Sequence, residues 1–481
     1  MAKIETRRGP VTGLMQEGVF VALGIPYAAP PVAEGRWMPP RPAAPWPSGL
    51  DATHHPNRSF QPPPPPALAG RELLGEFSED CLYLNIYTPA ADGKKRPVMF
   101  WIHGGAYIQG SANEYNGGPL AAENDVVVVI INYRLGIFGY MDMSGFGSAY
   151  EGSASLGFQD QIAALSWVRD NIADYGGDPD SVTIFGESAG GGSVLALLAA
   201  PTAKGLFHKA IGFSPGEVME APQDNIPVLS QKLNAEGPDL LAKLRNLPAD
   251  SLFALQLEGI VNTGAVIDGT IITAQPTQAI LDNGGNGVPL IAGCNRDEGS
   301  YMADVFPPEA REQMIRAFAE IIGNGDASAY LAYLDERVPG GDEREKLVFA
   351  WYGLFRSSAL RTAEASTVAG VGGWVYAFDV PGSTPLGVAH GSDVAFTFNM
   401  INHADAGIAG FHEPTDVNRD MANKWSKTFA AFARTGDPNG AGLPHWPQYD
   451  PARRACLVVD ASPKIAEDPD GQALRSAYGM K

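Results

Sequence analysis

The chain has 481 residues, of which 45% are hydrophobic and 18% charged, and it carries a formal net charge of −20 at pH 7. That length allows about three average domains or one large enzyme domain with insertions. The acidic balance argues against nucleic acid and anionic membrane surfaces as partners, since both require basic patches.

Fifty-six glycines and 39 prolines make about a fifth of the chain. This is short of the roughly 25–30% of low-complexity sequences and fits a globular fold with many tight turns. No apolar run approaches the ~18 residues of a membrane-spanning helix. Residues 1–10 show no apolar signal segment. Cys81, Cys294 and Cys456 are the only cysteines. So few in so long a chain argue against a disulfide framework and for a reducing compartment, so a cytoplasmic location is expected. No CxxC, HExxH, EF-hand or P-loop spacing occurs, so neither a metal nor an organic cofactor is expected.

In chain order, residues 11–14 and 19–24 read as short strands in a small N-terminal β region, 1–30. Pro-rich stretches follow at 26–47 and 62–66, and they read as surface loops. Residues 81–88 alternate like a strand. The runs 97–102 and 126–132 are continuously apolar between turn signals, as buried parallel strands are. Residues 159–172 repeat apolar side chains at helical spacing, with Asp160 in the first turn. Residues 181–185 read as another buried strand, 189–200 as a helix, and 289–293 with 374–378 as further strands. Strand and helix alternate, which implies an α/β fold with a large, mostly parallel sheet covered on both faces. Helical insertions are expected at about 220–260 and 305–365. No linker divides the chain, so a single catalytic domain over 1–481 is expected.

The pentapeptide G-x-S-x-G occurs twice, at Gly186-Glu187-Ser188-Ala189-Gly190 and at Gly212-Phe213-Ser214-Pro215-Gly216. In a chain this rich in glycine the motif alone is weak, and context decides. Ser188 lies between a strand and a helix, with small neighbours that a sharp elbow demands, and Ala189 can offer its N–H to an oxyanion from the helix start. After Ser214 comes Pro215, which has no N–H, and no helical pattern follows. Ser188 is therefore the expected nucleophile, and Ser214 either a residue that supports the catalytic groups from behind or a turn residue, whose hydroxyl could still line the pocket. Glu187 is expected in the pocket floor.

His103-Gly104-Gly105-Ala106 follows the strand 97–102. Paired glycines let backbone N–H groups approach a ligand closely, so Gly104 and Gly105 join Ala189 as the expected oxyanion donors. The strand–elbow–helix resembles that of the α/β-hydrolase fold, in which nucleophile, acid and histidine follow in that chain order. His103 precedes the serine and reads as a loop-shaping residue. His208 follows Ser188 too closely to leave room for an acid. His390, His403, His412 and His445 follow at sufficient distance, and position after the late strands favours His390. Asp297 and Glu298 both qualify as the acid after the strand 289–293.

Together these motifs resemble the type-B carboxylesterases, the group of cholinesterases and bacterial para-nitrobenzyl esterases. The residues that carry the resemblance are Glu79-Asp80-Cys81-Leu82-Tyr83-Leu84-Asn85, His103-Gly104-Gly105, Gly176-Gly177-Asp178-Pro179, the Ser188 elbow, Arg296-Asp297-Glu298-Gly299 and His390-Gly391-Ser392-Asp393. It extends from Gly24-Ile25-Pro26-Tyr27 to Gly436-Asp437-Pro438-Asn439. The resemblance implies a serine ester hydrolase with Glu298 as the acid and His390 as the base, acting on a small-molecule ester and water. The sequence does not fix an oligomeric state and is compatible with a monomer. The same machinery could cleave a carbamate or an amide, and some relatives are non-catalytic adhesion proteins. No cysteine precedes Cys81, so the bridge of secreted members cannot form, and the segment of about 50–78 is expected to be unpinned. That segment also lacks the tryptophan of the cholinesterases, which argues against choline. The stretch Gly259-Ile260-Val261-Asn262-Thr263-Gly264-Ala265 carries no aromatic, and by resemblance it forms the acyl wall. A roomy acyl pocket with Val261 in its wall is expected.

Overall fold

The computed structural model describes residues 1–63, 73–217, 221–261, 263–323, 325–401 and 412–480. The chain divides into two compact units, one of residues 1–208 with 218–275 and the other of 209–217 with 276–481.

In the first unit the strands are β1 (Ala2–Ile4), β2 (Val11–Gln16), β3 (Val19–Pro26), β4 (Tyr83–Thr88), β5 (Arg96–Ile102), β6 (Val127–Ile131) and β7 (Gly177–Glu187). They lie side by side in the order β1-β2-β3-β4-β6-β5-β7. The N-terminal pairs are antiparallel, whereas β5 pairs in parallel with both β6 and β7. The parallel strands are those with continuous apolar runs. All five residues of β6 are buried, because helices cover both faces of such strands. Helix α1 (Leu156–Asn171) begins three residues earlier than the periodicity predicts, since Leu156 and Phe158 are also buried. Asp160 therefore lies beyond the first turn, not within it as the periodicity predicts. It is fully buried and takes the Arg134 guanidinium at 2.7 and 2.8 Å. Helix α2 (Ala189–Ala199) follows β7 directly and is buried along its whole length. Two amphipathic helices, α3 (Ile226–Leu233) and α4 (Gly237–Asn246), and a more uniformly apolar α5 (Ala249–Leu257) fill the insertion read at 220–260.

The described parts of the segment of about 50–78, expected to be unpinned, are held without a disulfide. The Asn113 amide donates to Pro56 O and Leu74 O at 2.9 Å each, Asn57 donates to Asp80 O, and Arg58 pairs with Glu114. Residues 64–72 of this segment, including part of the proline run, lie outside the described residues. Cys81 is a buried free thiol, and burial pushes its pKa up to about 12.

In the second unit β8 (Lys209–Phe213), β9 (Leu290–Asn295), β10 (Gly373–Phe378) and β11 (Ala455–Val459) run parallel in that order, and β12 (Lys464–Glu467) closes the edge antiparallel. The expected insertion at 305–365 is α6 (Pro308–Ile322), α7 (Ala327–Arg337) and the 26-residue α8 (Glu343–Val368). A short helix α9 (Ser392–Thr397) and a long α10 (Asp416–Thr435) follow. Among the described residues no helix is long and apolar enough to cross a membrane.

Candidate active site

The first unit carries the serine elbow. Ser188 has φ 59° and ψ −124°, a backbone region that L-residues occupy only when the surroundings enforce it. The surroundings here are glycines. A Cβ on Gly190 would stand 2.0 Å from Ile102 O, and one on Gly186 would stand 2.6 Å from Gly190. Strand β7 can therefore turn into α2 directly behind the end of β5 only because neither position bears a side chain. Parallel pairing sets Gly186 opposite Ile102 and so brings the loop after β5 against the elbow. A Cβ on Gly104 would lie 2.6 Å from Glu187 O and 3.0 Å from Ser188 Cβ. Gly105 has φ +107°, and a Cβ there would meet Gln109 O at 2.2 Å. Ala189 opens α2, where backbone N–H groups have no partner within the helix. Glu187 is 8% exposed and lies against Gly104.

His103 is fully buried, stacked on Tyr133 with ring centroids 4.5 Å apart, and its Nδ1–H donates to Gly104 O at 2.9 Å. Burial pushes its pKa down to about 4 and the Arg58 charge acts in the same direction. It is a neutral wedge under the glycine loop.

The second unit carries an acid–imidazole pair. Glu298 follows β9 and is fully buried. Its Oε2 takes the Nδ1–H of His390, and its Oε1 accepts from the Asn295 backbone N–H at 2.6 Å and from the Ser214 hydroxyl at 2.5 Å. Phe355, from α8, stacks flat on the imidazole with centroids 4.8 Å apart. Asp297 has a different task. Its Oδ2 takes the Val388 N–H at 2.8 Å and its own N–H donates to Val388 O, while Arg296 pairs with it from the solvent side. It anchors the chain leading into His390, and Glu298 faces the histidine. Ser214, the decoy serine, follows β8 and is fully buried with φ 44°. Its hydroxyl donates to the acid.

The other described candidate histidines have different surroundings. His208 Nδ1 accepts from Val182 N, His412 Nε2–H donates to Val380 O, and His445 is exposed. His403 lies outside the described residues. Val261 is 3% exposed and belongs to an apolar cluster with Ile137, Phe138, Leu252 and Leu255. Its neighbours Thr263, Gly264, Ala265 and Val266 line a cavity of about 80 Å³ with Tyr140 and Asp142. Asn262 lies outside the described residues. Tyr376 and Phe355 stand near the acid–imidazole pair without a spacing signal in the sequence, because a distant strand and helix bring them there, whereas Asn295 and Asp393 lie three residues from Glu298 and His390 along the chain. Among the described residues no group of three or more His, Cys, Asp or Glu side chains is placed to hold a metal ion.

The carboxylesterase family model matches residues 1–476. The chain is 35% identical to the para-nitrobenzyl esterase of Bacillus subtilis (strain 168), across 99% of each chain. It is also 35% identical to the liver carboxylesterase of Sus scrofa, across 93% of this chain and 87% of that one. The crystal structure of a Geobacillus stearothermophilus carboxylesterase at pH 6.2 superposes with a TM-score of 0.85 at 37% identity, covering 99% of this chain and 100% of that one.

Proposed function

The chain belongs to the carboxylesterase family and is a carboxylic-ester hydrolase of α/β-hydrolase fold, and from that premise we propose that it works through an acyl-enzyme on Ser188. Ser188 Oγ attacks the ester carbonyl carbon while His390 Nε2 takes its proton. Glu298 holds the imidazole in the Nδ1–H tautomer and stabilises the imidazolium that forms. The N–H groups of Gly104, Gly105 and Ala189 receive the tetrahedral oxyanion. His390 then protonates the leaving alcohol, and water hydrolyses the acyl-enzyme with the same residue as base.

The observation that carries this reading is the hydrogen bond from His390 Nδ1 to the buried Glu298, which makes Nε2 the nitrogen that exchanges a proton with substrate. The strained backbone of Ser188 supports it from the serine side. The test is kcat and KM for Ser188→Ala, His390→Ala and Glu298→Ala on p-nitrophenyl acetate, butyrate and benzoate, with one carbamate and one amide. Loss of Ser188 or His390 is expected to lower kcat by on the order of 10⁴–10⁶, and loss of Glu298 by less. The wild type should keep its turnover from acetyl to butyryl, because the stretch 259–265, read by resemblance as the acyl wall, carries no aromatic side chain. An organophosphate adduct mapped to any residue but Ser188 would overturn the assignment, and faster turnover of the carbamate or amide than of every ester would overturn the substrate class.

A further inference from the structure

A second buried carboxylate stands one side-chain amide away from Glu298. Asp393, the second residue of α9, is fully buried, and both of its oxygens accept. Oδ2 takes the Tyr376 hydroxyl at 2.6 Å and Oδ1 takes the Asn295 amide at 3.3 Å. The same Asn295 amide nitrogen lies 3.3 Å from Glu298 Oε1 and 3.4 Å from Ser214 Oγ. Both carboxylates are acceptors only, so the NH₂ end of Asn295 must face them. With its carbonyl turned inward, a lone pair would oppose two carboxylate oxygens in a buried, low-dielectric setting.

We propose that Asp393 is a positioning residue for the Glu298–His390 pair, acting through the Asn295 amide. The inference rests on the catalytic reading above. Asp393 follows His390 by three residues, while Asn295 ends the strand that leads to Glu298 and Tyr376 lies on the next strand. One carboxylate thus fastens the histidine-bearing loop to the end of the acid-bearing strand, and it keeps the amide turned so that it donates to the acid. Positioning of this kind acts on the chemical step, since a displacement of about 1 Å in a catalytic group can cost on the order of 10²-fold in rate.

The experiment compares wild type, Asp393→Ala, Asp393→Asn, Asn295→Ala, the Asn295→Ala/Asp393→Ala double variant and His390→Ala. Each is assayed on p-nitrophenyl butyrate and by one-dimensional proton NMR in the downfield window of the His390 Nδ1 proton. Asp393→Ala and Asn295→Ala should each lower kcat by about 10–100-fold with KM within about threefold. The double variant should be no slower than the slower single one, because both break the same link. Asp393→Asn can still accept from Asn295 and should stay within about fivefold of wild type. The downfield line should be absent in His390→Ala, displaced in the two alanine variants and near its wild-type position in Asp393→Asn. Wild-type kcat with an unmoved line in Asp393→Ala and Asn295→Ala overturns the proposal, as does a loss residing in KM alone. Should Asp393→Ala not fold, Asn295→Ala decides by the same criteria. Wild-type activity in His390→Ala would instead overturn the catalytic reading.

Discussion

Two serines share one pentapeptide, and their surroundings divide the work between them. Ser188 stands at a strand–helix elbow, whereas Ser214 donates its hydroxyl to Glu298 at 2.5 Å. A hydrogen bond to a charged group contributes about 1.5–3 kcal/mol when nothing replaces it. Glu298 keeps the Asn295 backbone N–H at 2.6 Å and the His390 donor, so Ser214→Ala should lower kcat by no more than about tenfold. Steady-state kinetics checks this, and a fall beyond 100-fold would give Ser214 a direct part in the chemistry. The sequence rejected Ser214 as nucleophile because Pro215 has no N–H, and it allowed a supporting role, but that the supported group is Glu298 was not legible. Strand β8 brings it to a carboxylate 84 positions away, and no local pattern encodes that meeting. Asp297 and Glu298 were likewise inseparable by local pattern. The resemblance names Glu298 as the acid, and the fold gives the reason, with Asp297 on Val388 and Glu298 on His390.

At the scale of elements, the continuous apolar runs located the central strands to within a few residues, because burial on both faces leaves a strand no alternative to apolar side chains. Strand β8 was not singled out, and β11, β12 and α10 were not assigned. Strand β12 is short and half exposed, so it carries little hydrophobic signal. The elbow is legible for a steric reason that can be tested by contrast. Gly190 has no room for a methyl group, with Ile102 O only 2.0 Å from the place of a Cβ, whereas among the described residues nothing lies within 4 Å of that place at Gly216. Gly190→Ala should separate α2 from β5 and destabilise the protein by more than about 3 kcal/mol or prevent folding, as overpacked buried sites do. Gly216→Ala should stay within about 0.5 kcal/mol of wild type. Denaturant midpoints of the two variants measure the difference. Equal midpoints would mean that the backbone at the elbow relaxes freely, and the motif would then lose its steric rationale.

At the scale of the molecule, stability at acid pH follows from where neutral histidines are buried. Burial lowers the His103 pKa to about 4, against an unfolded value of about 6.5. Between those values the unfolded chain binds a proton that the folded chain refuses, so stability is lost as pH falls through this window and is unaffected above it. The loss from His103 amounts to about 2 kcal/mol by pH 5. His412 is also shifted down by burial and adds in the same sense. Glu364 and Asp379 oppose it in part, because burial raises their pKa values and their protonation at low pH favours the folded state. His103→Asn can keep a donor to Gly104 O while removing the titration. Its guanidinium midpoint at pH 7.5 need not match wild type, since the stacking on Tyr133 is lost. The decrease from pH 7.5 to pH 5 is the informative quantity, and it should be smaller than the wild-type decrease by up to about 2 kcal/mol. An equal decrease in both proteins would mean that His103 takes up its proton in the folded state, and the neutral wedge beneath the glycine loop would then have to be redrawn as an imidazolium with an acceptor for its second N–H.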